Sequence, residues 1–170
     1  MSDGWFVVNA RDAQWLTTED GEQQTSGSEC SFEPEGTEFE QLGIRLHVLL
    51  PGEANGLYHR ENQQENFLVL AGECLLLVEG EERPLRAWDF VHCPPWTEHI
   101  FVGAGDGPCS ILMVGGRTMP WEVVYPVSEL AARHNASVTE ETTDPRDAYV
   151  GRFEPSRRGR PSFWSQLPWA

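Results

Sequence analysis

Residues 58–73 read YHRENQQENFLVLAGE. The first half carries an imidazole and two carboxylates, His59, Glu61 and Glu65. The second half is an unbroken apolar run from Phe67 to Ala71 that stops at Gly72. A short apolar run closed by a glycine reads as a buried strand. The surrounding sequence repeats that signal. LGIRLHVLLPG (42–52) reads as a strand that ends at a Pro-Gly turn. ECLLLVEGEERPL (73–85) reads as a hairpin turning near Gly80. WDFVHCPP (88–95) is a strand stopped by two prolines. EHIFVGAGDGPCSILMVGG (98–116) gives two more strands around a Gly-rich turn. Short strands at this spacing, with no helical periodicity among them, predict an all-β antiparallel sandwich or barrel.

That architecture explains why polar groups stand directly ahead of a buried strand. Residues two apart on a strand share a face, which gives His59 and Glu61 a common direction. Glu65 precedes the next strand, and His99 opens another strand after a Pro-rich turn. Closure into a small barrel brings His59, Glu61, Glu65 and His99 together at the strand mouths. Imidazole nitrogen and carboxylate oxygen suit one divalent ion, Zn, Mn, Fe or Ni. Buried charges need such a partner to offset their desolvation.

Outside 42–116 the sequence changes character. Residues 1–41 form an N-terminal extension with one apolar patch, WFVV (5–8), expected to add strands to the barrel. TTEDGEQQTSGSE (17–29) reads as a long polar loop. Residues 117–170 form a C-terminal extension. In it PVSELAARHN (126–135) predicts a short helix capped by Ser128, and TEETTDPRDAY (139–149) reads as a polar connection. The tail, RFEPSRRGRPSFWSQLPWA (152–170), is irregular and rich in Arg and Trp, and its aromatics predict docking on a surface. No internal repeat is visible.

The composition narrows the function. The chain has 170 residues, enough for one domain with a real core. Its formal net charge is -15, which disfavours nucleic acid and anionic membrane surfaces as partners. All 12 basic residues are arginines, so a lysine Schiff base is excluded. No stretch reaches the roughly 18 apolar residues of a membrane helix, and no signal peptide is seen at the N-terminus. The four cysteines, Cys30, Cys74, Cys93 and Cys109, form no CxxC pair. Reduced thiols and a cytoplasmic location are therefore expected. Of the adjacent His92 and Cys93, only one can face the barrel interior, and Cys93 reads as a small buried residue rather than a nucleophile.

At these residues the sequence resembles the cupin superfamily. The first cupin motif, G(x)5HxH(x)3–4E(x)6G, is met by His59, Glu65 and Gly72. The second, G(x)5PxG(x)2H(x)3N, is met by Pro94 and His99, with Asp89 where a Gly-Asp pair often stands. The resemblance covers residues 42–115. It implies a double-stranded β-helix, or jelly-roll, barrel, often dimeric and often holding one divalent metal. It implies a small-molecule ligand and a homodimer as partners. The departures are specific. Glu61 stands at the second histidine of HxH, Trp88 and Trp96 replace two glycines, and Gly103 replaces the closing asparagine. Two registers stay open. In one, His59, Glu61, Glu65 and His99 all bind metal. In the other, Leu57 takes the first histidine place and Glu61 drops out.

Three readings follow. The first is a metal-dependent cupin enzyme of dioxygenase, isomerase or decarboxylase type, with Glu61 as fourth ligand or general base. The second is a binding module without turnover, with His47, Trp96 and Phe101 lining a pocket and Trp88 as a further candidate wall. The third is a structural barrel with a filled interior.

Overall fold

The computed structural model describes residues 4–17, 27–117, 119–152 and 157–170. The polar loop expected over 17–29 and the start of the Arg-rich tail therefore lie mostly outside the described residues. Twelve described strands occur in chain order: β1 Gln14–Thr17, β2 Ser28–Ser31, β3 Leu42–Leu49, β4 Arg60–Glu61, β5 Glu65–Ala71, β6 Glu73–Val78, β7 Glu81–Arg86, β8 Phe90–Cys93, β9 His99–Ala104, β10 Cys109–Gly116, β11 Val123–Val124 and β12 Arg157–Arg158. Two short helices follow β11, α1 Glu129–Ala132 and α2 Pro145–Ala148.

The strands pair antiparallel in a seven-stranded sheet, β12-β1-β2-β3-β10-β5-β8, and a three-stranded sheet, β7-β6-β9. A two-stranded ribbon joins β4 to β11. The predicted hairpin turns at Glu79 and Gly80, both at positive φ. Such a two-residue turn matches the right-handed twist of its strands. Pro84 lies in β7, at a sheet edge, where a missing N–H breaks no inner ladder.

Alternation along each strand builds the barrel interior. Leu49, Phe67, Val69, Cys74, Leu76, Cys93, Phe101, Cys109 and Ile111 pack into one buried cluster. They come from both sheets, so this cluster holds the barrel shut. Each large apolar side chain buried here contributes about 1.5–3 kcal/mol. Cys93 belongs to the cluster, and burial pushes its thiol up to about 12. His92, its neighbour, faces out and bonds to Asn66 Oδ1 at 2.8 Å. Cys93 is thus a core residue and not an activated nucleophile.

The extensions pack onto the outside. Strands β1 and β2 continue the large sheet beside β3. The C-terminal Phe163 and Leu167 bury against Trp15, Cys30, Leu46 and Val48. Trp164 meets the Trp15 ring edge-on at 5.3 Å, and Trp169 stacks on it at 5.5 Å. The tail therefore covers the outer face of the large sheet. Helix α1, with Ser128 accepting from Ala131 N, covers the outer face of the small one. Residues 145–148, read in sequence as part of a polar connection, form α2 instead. Asp144 caps it and Pro145 opens it, and Ala148 buries against Leu57, Val123, Tyr125 and Val138.

Two departures from the motif have local causes. At Gly103 a Cβ would stand 2.1 Å from the Leu50 carbonyl oxygen, so the strand excludes asparagine there. Trp88 and Trp96 keep the left-handed backbone of the glycines they replace, with φ of 76° and 71°. For a bulky residue this conformation costs about 1–2 kcal/mol. Trp88 is 74% exposed, so packing returns little of that cost. Trp88→Gly is expected to stabilise the fold by about 1 kcal/mol, read as a higher urea midpoint at unchanged m-value. A lower midpoint would show that the indole is held by contacts worth more than its strain.

Candidate metal centre

His59 lies between the Tyr58 ring, buried in the core, and the short strand β4. It pairs across to the first residue of β9 through two backbone bonds. His59 N donates to His99 O at 3.2 Å, and His99 N donates to His59 O at 2.8 Å. This bridge sets the two imidazoles side by side, tilted by 44°, with ring centroids 5.1 Å apart. Glu65 opens β5, beside Cys93 of β8 and Gly115 of β10. Its Oε2 is 3.2 Å from His99 Nε2. Among the described residues, His59, Glu65 and His99 form the one group whose donor atoms all lie within 4.8 Å of each other.

Both rings are locked from behind. His59 Nδ1 meets Leu57 O at 2.7 Å, and His99 Nδ1 meets Thr97 O at 3.0 Å. A carbonyl accepts only from N–H, so the proton sits on Nδ1 in each ring and Nε2 turns toward the other ligands. Metal-binding histidines are commonly oriented by such a contact. Burial, reinforced by the charge of His99, pushes His59 down to about 4, so its imidazole is neutral near pH 7. Burial alone would lower His99 too, but the bond and charge of Glu65 leave it raised. Burial opposes ionisation of Glu65, yet His99 and His59 hold its carboxyl below the usual range. Two imidazole nitrogens and one carboxylate fit a divalent first-row ion with open positions. Loading it would compete with the 3.2 Å contact between His99 Nε2 and Glu65 Oε2.

Glu61 stands beside this group but not within it. Its Oε2 accepts from Trp121 Nε1 at 2.7 Å. Burial and the Glu65 charge push its carboxyl up to about 7.

A cavity of about 1030 Å³ opens on the large sheet's inner face beside Glu61 and Glu65. His47, Arg45, Met113, Arg117 and Trp121 also line it. The barrel is therefore not filled at this end. Across the sheet, Glu65 pairs with Gly115, and Gly115 with Gly43. The two glycines make room for the Arg117 guanidinium, which packs over Gly43, and for the Glu65 side chain beside Gly115. Of the other pocket residues expected from sequence, Phe101 lies buried below, 4.7 Å from the Phe67 ring. Trp96 is 43% exposed and stands outside the cavity lining, as does Trp88.

Four residues near the site carried no strong sequence signal. Trp121 and Tyr125, whose ring is 5.9 Å from His59, follow the last long strand. Arg117 is tied to Glu33 Oε1 at 2.5 Å and Phe39 O at 2.7 Å. Glu29 sits in β2, opposite His47 of β3. The alternation of SECS (28–31), buried at Ser28 and Cys30, was its only signal.

Residues 45–115 match the profile of the cupin domain family. Gentisate 1,2 dioxygenase 1 of Aquipseudomonas alcaligenes is 27% identical over 108 residues, 64% of this chain and 30% of the dioxygenase. A sugar phosphate isomerase from a cupin superfamily of Silicibacter pomeroyi is 29% identical, with a TM-score of 0.52 over 56% of this chain and 62% of the isomerase. The polyketide cyclase RemF of Streptomyces resistomycificus shares the fold at 14% identity, with a TM-score of 0.55 over 69% of this chain and 83% of the cyclase. The chain thus spans under a third of the dioxygenase and under two thirds of the isomerase. The barrel segment of this chain is thus similar to cupin domains. No described helix is long and apolar enough to cross a membrane.

The Glu29 carboxyl is held down at about 2, first by its hydrogen bond to His47, against an opposing push from burial. A depressed carboxyl stabilises the fold above its unfolded value near 4.5, and that stabilisation is lost as pH falls toward 2. Glu29→Gln should therefore destabilise the protein by on the order of 2–3 kcal/mol at pH 7. The gap from wild type should narrow as pH drops from 4.5 toward 2. Urea unfolding at a series of pH values measures it; a gap independent of pH would show that the carboxylate's charge is not what matters.

Proposed function

We propose that this protein is a metal-dependent cupin that acts on a small, oxygen-rich molecule held in the barrel cavity. One observation carries the reading: the donor atoms of His59, Glu65 and His99 converge within 4.8 Å, both imidazoles are locked at Nδ1, and Glu65 opens on the cavity. His59 Nε2, His99 Nε2 and the Glu65 carboxylate would hold the ion. Bound there, a divalent metal supplies Lewis-acid or redox chemistry to an oxygen ligand.

The chain's own residues do the rest. The Leu57 and Thr97 carbonyls keep Nε2 of each histidine aimed inward. Phe67, 5.3 Å from the His99 ring, and Phe101 beneath it keep water from the underside of the site. Glu61 lines the cavity with Oε2 pinned by Trp121. Its Oε1 is the oxygen placed to take up or give a proton to a bound molecule. The same pin supports Glu61 as a proton-handling residue rather than as a fourth ligand.

The similar proteins support the substrate class. Gentisate, in the dioxygenase's name, is a hydroxylated aromatic acid; sugar phosphates, in the isomerase's, are hydroxylated oxyanions. Both are small and rich in oxygen donors that can approach a metal.

Elemental analysis of untagged protein tests the reading. About one equivalent of Mn, Fe, Ni or Zn is expected in the wild type, and less than about a tenth of that in Glu65→Gln and His99→Ala. Glu61→Gln should keep its metal. A wild type that stays metal-free after incubation with each ion in turn would overturn the proposal. Loss of metal in Glu61→Gln would instead return Glu61 to the ligand set.

A further inference from the structure

A second polar group lines the same cavity, away from the metal ligands. Glu29 Oε2 lies 3.1 Å from Arg45 Nη1 and 3.3 Å from His47 Nε2. One carboxylate from β2 thus orients two side chains of β3. Arg45 and His47 both line the cavity that Glu61 and Glu65 line. Strand β3 is separated from β5 only by β10. Adjacent strands lie about 4.8 Å apart, which puts β3 roughly 10 Å across the sheet from Glu65. Between them lie Gly115 and Gly43, with the Arg117 guanidinium packed over Gly43, 3.3 Å from where a Cβ would stand. A molecule the size of a substituted benzene ring spans that distance once the side chains on both walls reach inward.

The group is not satisfied by its own internal contacts. The His47 side chain is 12% exposed, and its Nδ1 is buried with no hydrogen-bonding partner in the protein. In the neutral ring, the proton donated to Glu29 sits on Nε2, which leaves Nδ1 an acceptor in want of a donor. A buried polar atom without a partner is uncommon and costs about 1–3 kcal/mol. Because His47 lines the cavity, a hydroxyl bound beside its ring is the donor that this atom lacks. Arg45 has the complementary need. Its side chain is 48% exposed, and Glu29 takes one of its five N–H donors. A planar guanidinium held in this way offers paired donors to an oxyanion.

We infer that Arg45 and His47, both oriented by Glu29, form a recognition wall for the end of the ligand remote from the metal, and that this wall selects a hydroxylated carboxylate. Arg45 takes the carboxylate, and His47 accepts the proton of a hydroxyl on the same molecule. This inference rests on the proposed function only for what sits at the other end of the cavity. The two residues act by binding, not by chemistry, so they are recognition residues.

Binding to the purified 170-residue protein tests the wall without turnover. The probes are gentisate, which carries a carboxylate and two hydroxyls; salicylate, which lacks the remote hydroxyl; and hydroquinone, which lacks the carboxylate. Affinities come from calorimetry under nitrogen, and metal content is measured on the same samples. Wild type should bind gentisate at least about tenfold more tightly than either analogue, since a site built to bond a hydroxyl rejects the analogue that lacks it. His47→Leu should reduce the preference over salicylate to less than about threefold. Arg45→Gln should weaken gentisate and salicylate by about tenfold and leave hydroquinone unchanged. Metal content should match wild type in both variants, and circular dichroism checks that each is folded. If either variant fails to fold, His47→Gln and Arg45→Lys replace it, with the same preferences lost in part. The inference is overturned if wild type binds none of the probes, if it binds all three alike, or if the variants keep the wild-type preferences. A metal-free wild type that still shows the preferences would overturn the metal reading and leave this wall standing.

Discussion

Two backbone hydrogen bonds between His59 and His99 carry the arrangement of the site. They form an isolated bridge outside the regular ladders, between the start of β4 and the start of β9. Because the bridge is antiparallel, it fixes both the separation of the two chains and the face on which each imidazole emerges. The Nδ1 bonds to Leu57 and Thr97, each two residues back from its histidine, then lock the rings. Donor groups held by main chain in this way are positioned by the fold itself. The electrostatics agree: burial lowers His59, and the mutual attraction of His99 and Glu65 draws Nε2 and Oε2 to 3.2 Å.

The same register that places Glu65 also makes the room beside it. Glu65, Gly115 and Gly43 lie in one row across β5, β10 and β3. Side chains return one step further along, at Phe67, Met113 and Arg45, and the packed core follows at Val69 and Ile111. The barrel therefore grades from open and polar at one end to dry and filled at the other. Fold stability is concentrated where the chemistry is not, which lets the polar end carry unpaired and strained groups that a small core would not otherwise tolerate.

The barrel itself was legible because its strands are short apolar runs ended by Gly and Pro, a pattern in which local propensity and burial agree. The strands from β3 to β10 are legible in sequence apart from the two-residue β4, and so is the Ser128 cap. Spacing also pointed to His59, Glu65 and His99, since ligands near strand ends keep a nearly fixed offset from the strand they precede. What could not be read depends on contacts distant in sequence. Glu29 matters only because β2 lies beside β3, and SECS is too short and too polar to announce a strand. Trp121 matters only because β11 returns to β4, sixty residues away. The cap of α2 was missed because Asp144 and Pro145 stand in a run of polar residues that reads equally well as a turn. Trp88 and Trp96 were weighed as ligand walls because tryptophan is large and apolar. Their left-handed backbone instead places them in tight turns, a geometry that glycine adopts most readily.

Strand β2 brings Glu29 to the cavity from outside the segment that matches the cupin domain, and Trp121 and Tyr125 come from beyond its other end. The segment similar to cupin domains is thus a chassis that contains His59, Glu65 and His99 but not all of their surroundings. Glu29 holds Arg45 and His47 from one flank, and Trp121 holds Glu61 from the other, so polar groups that line the cavity inside the matched segment are aimed from outside it.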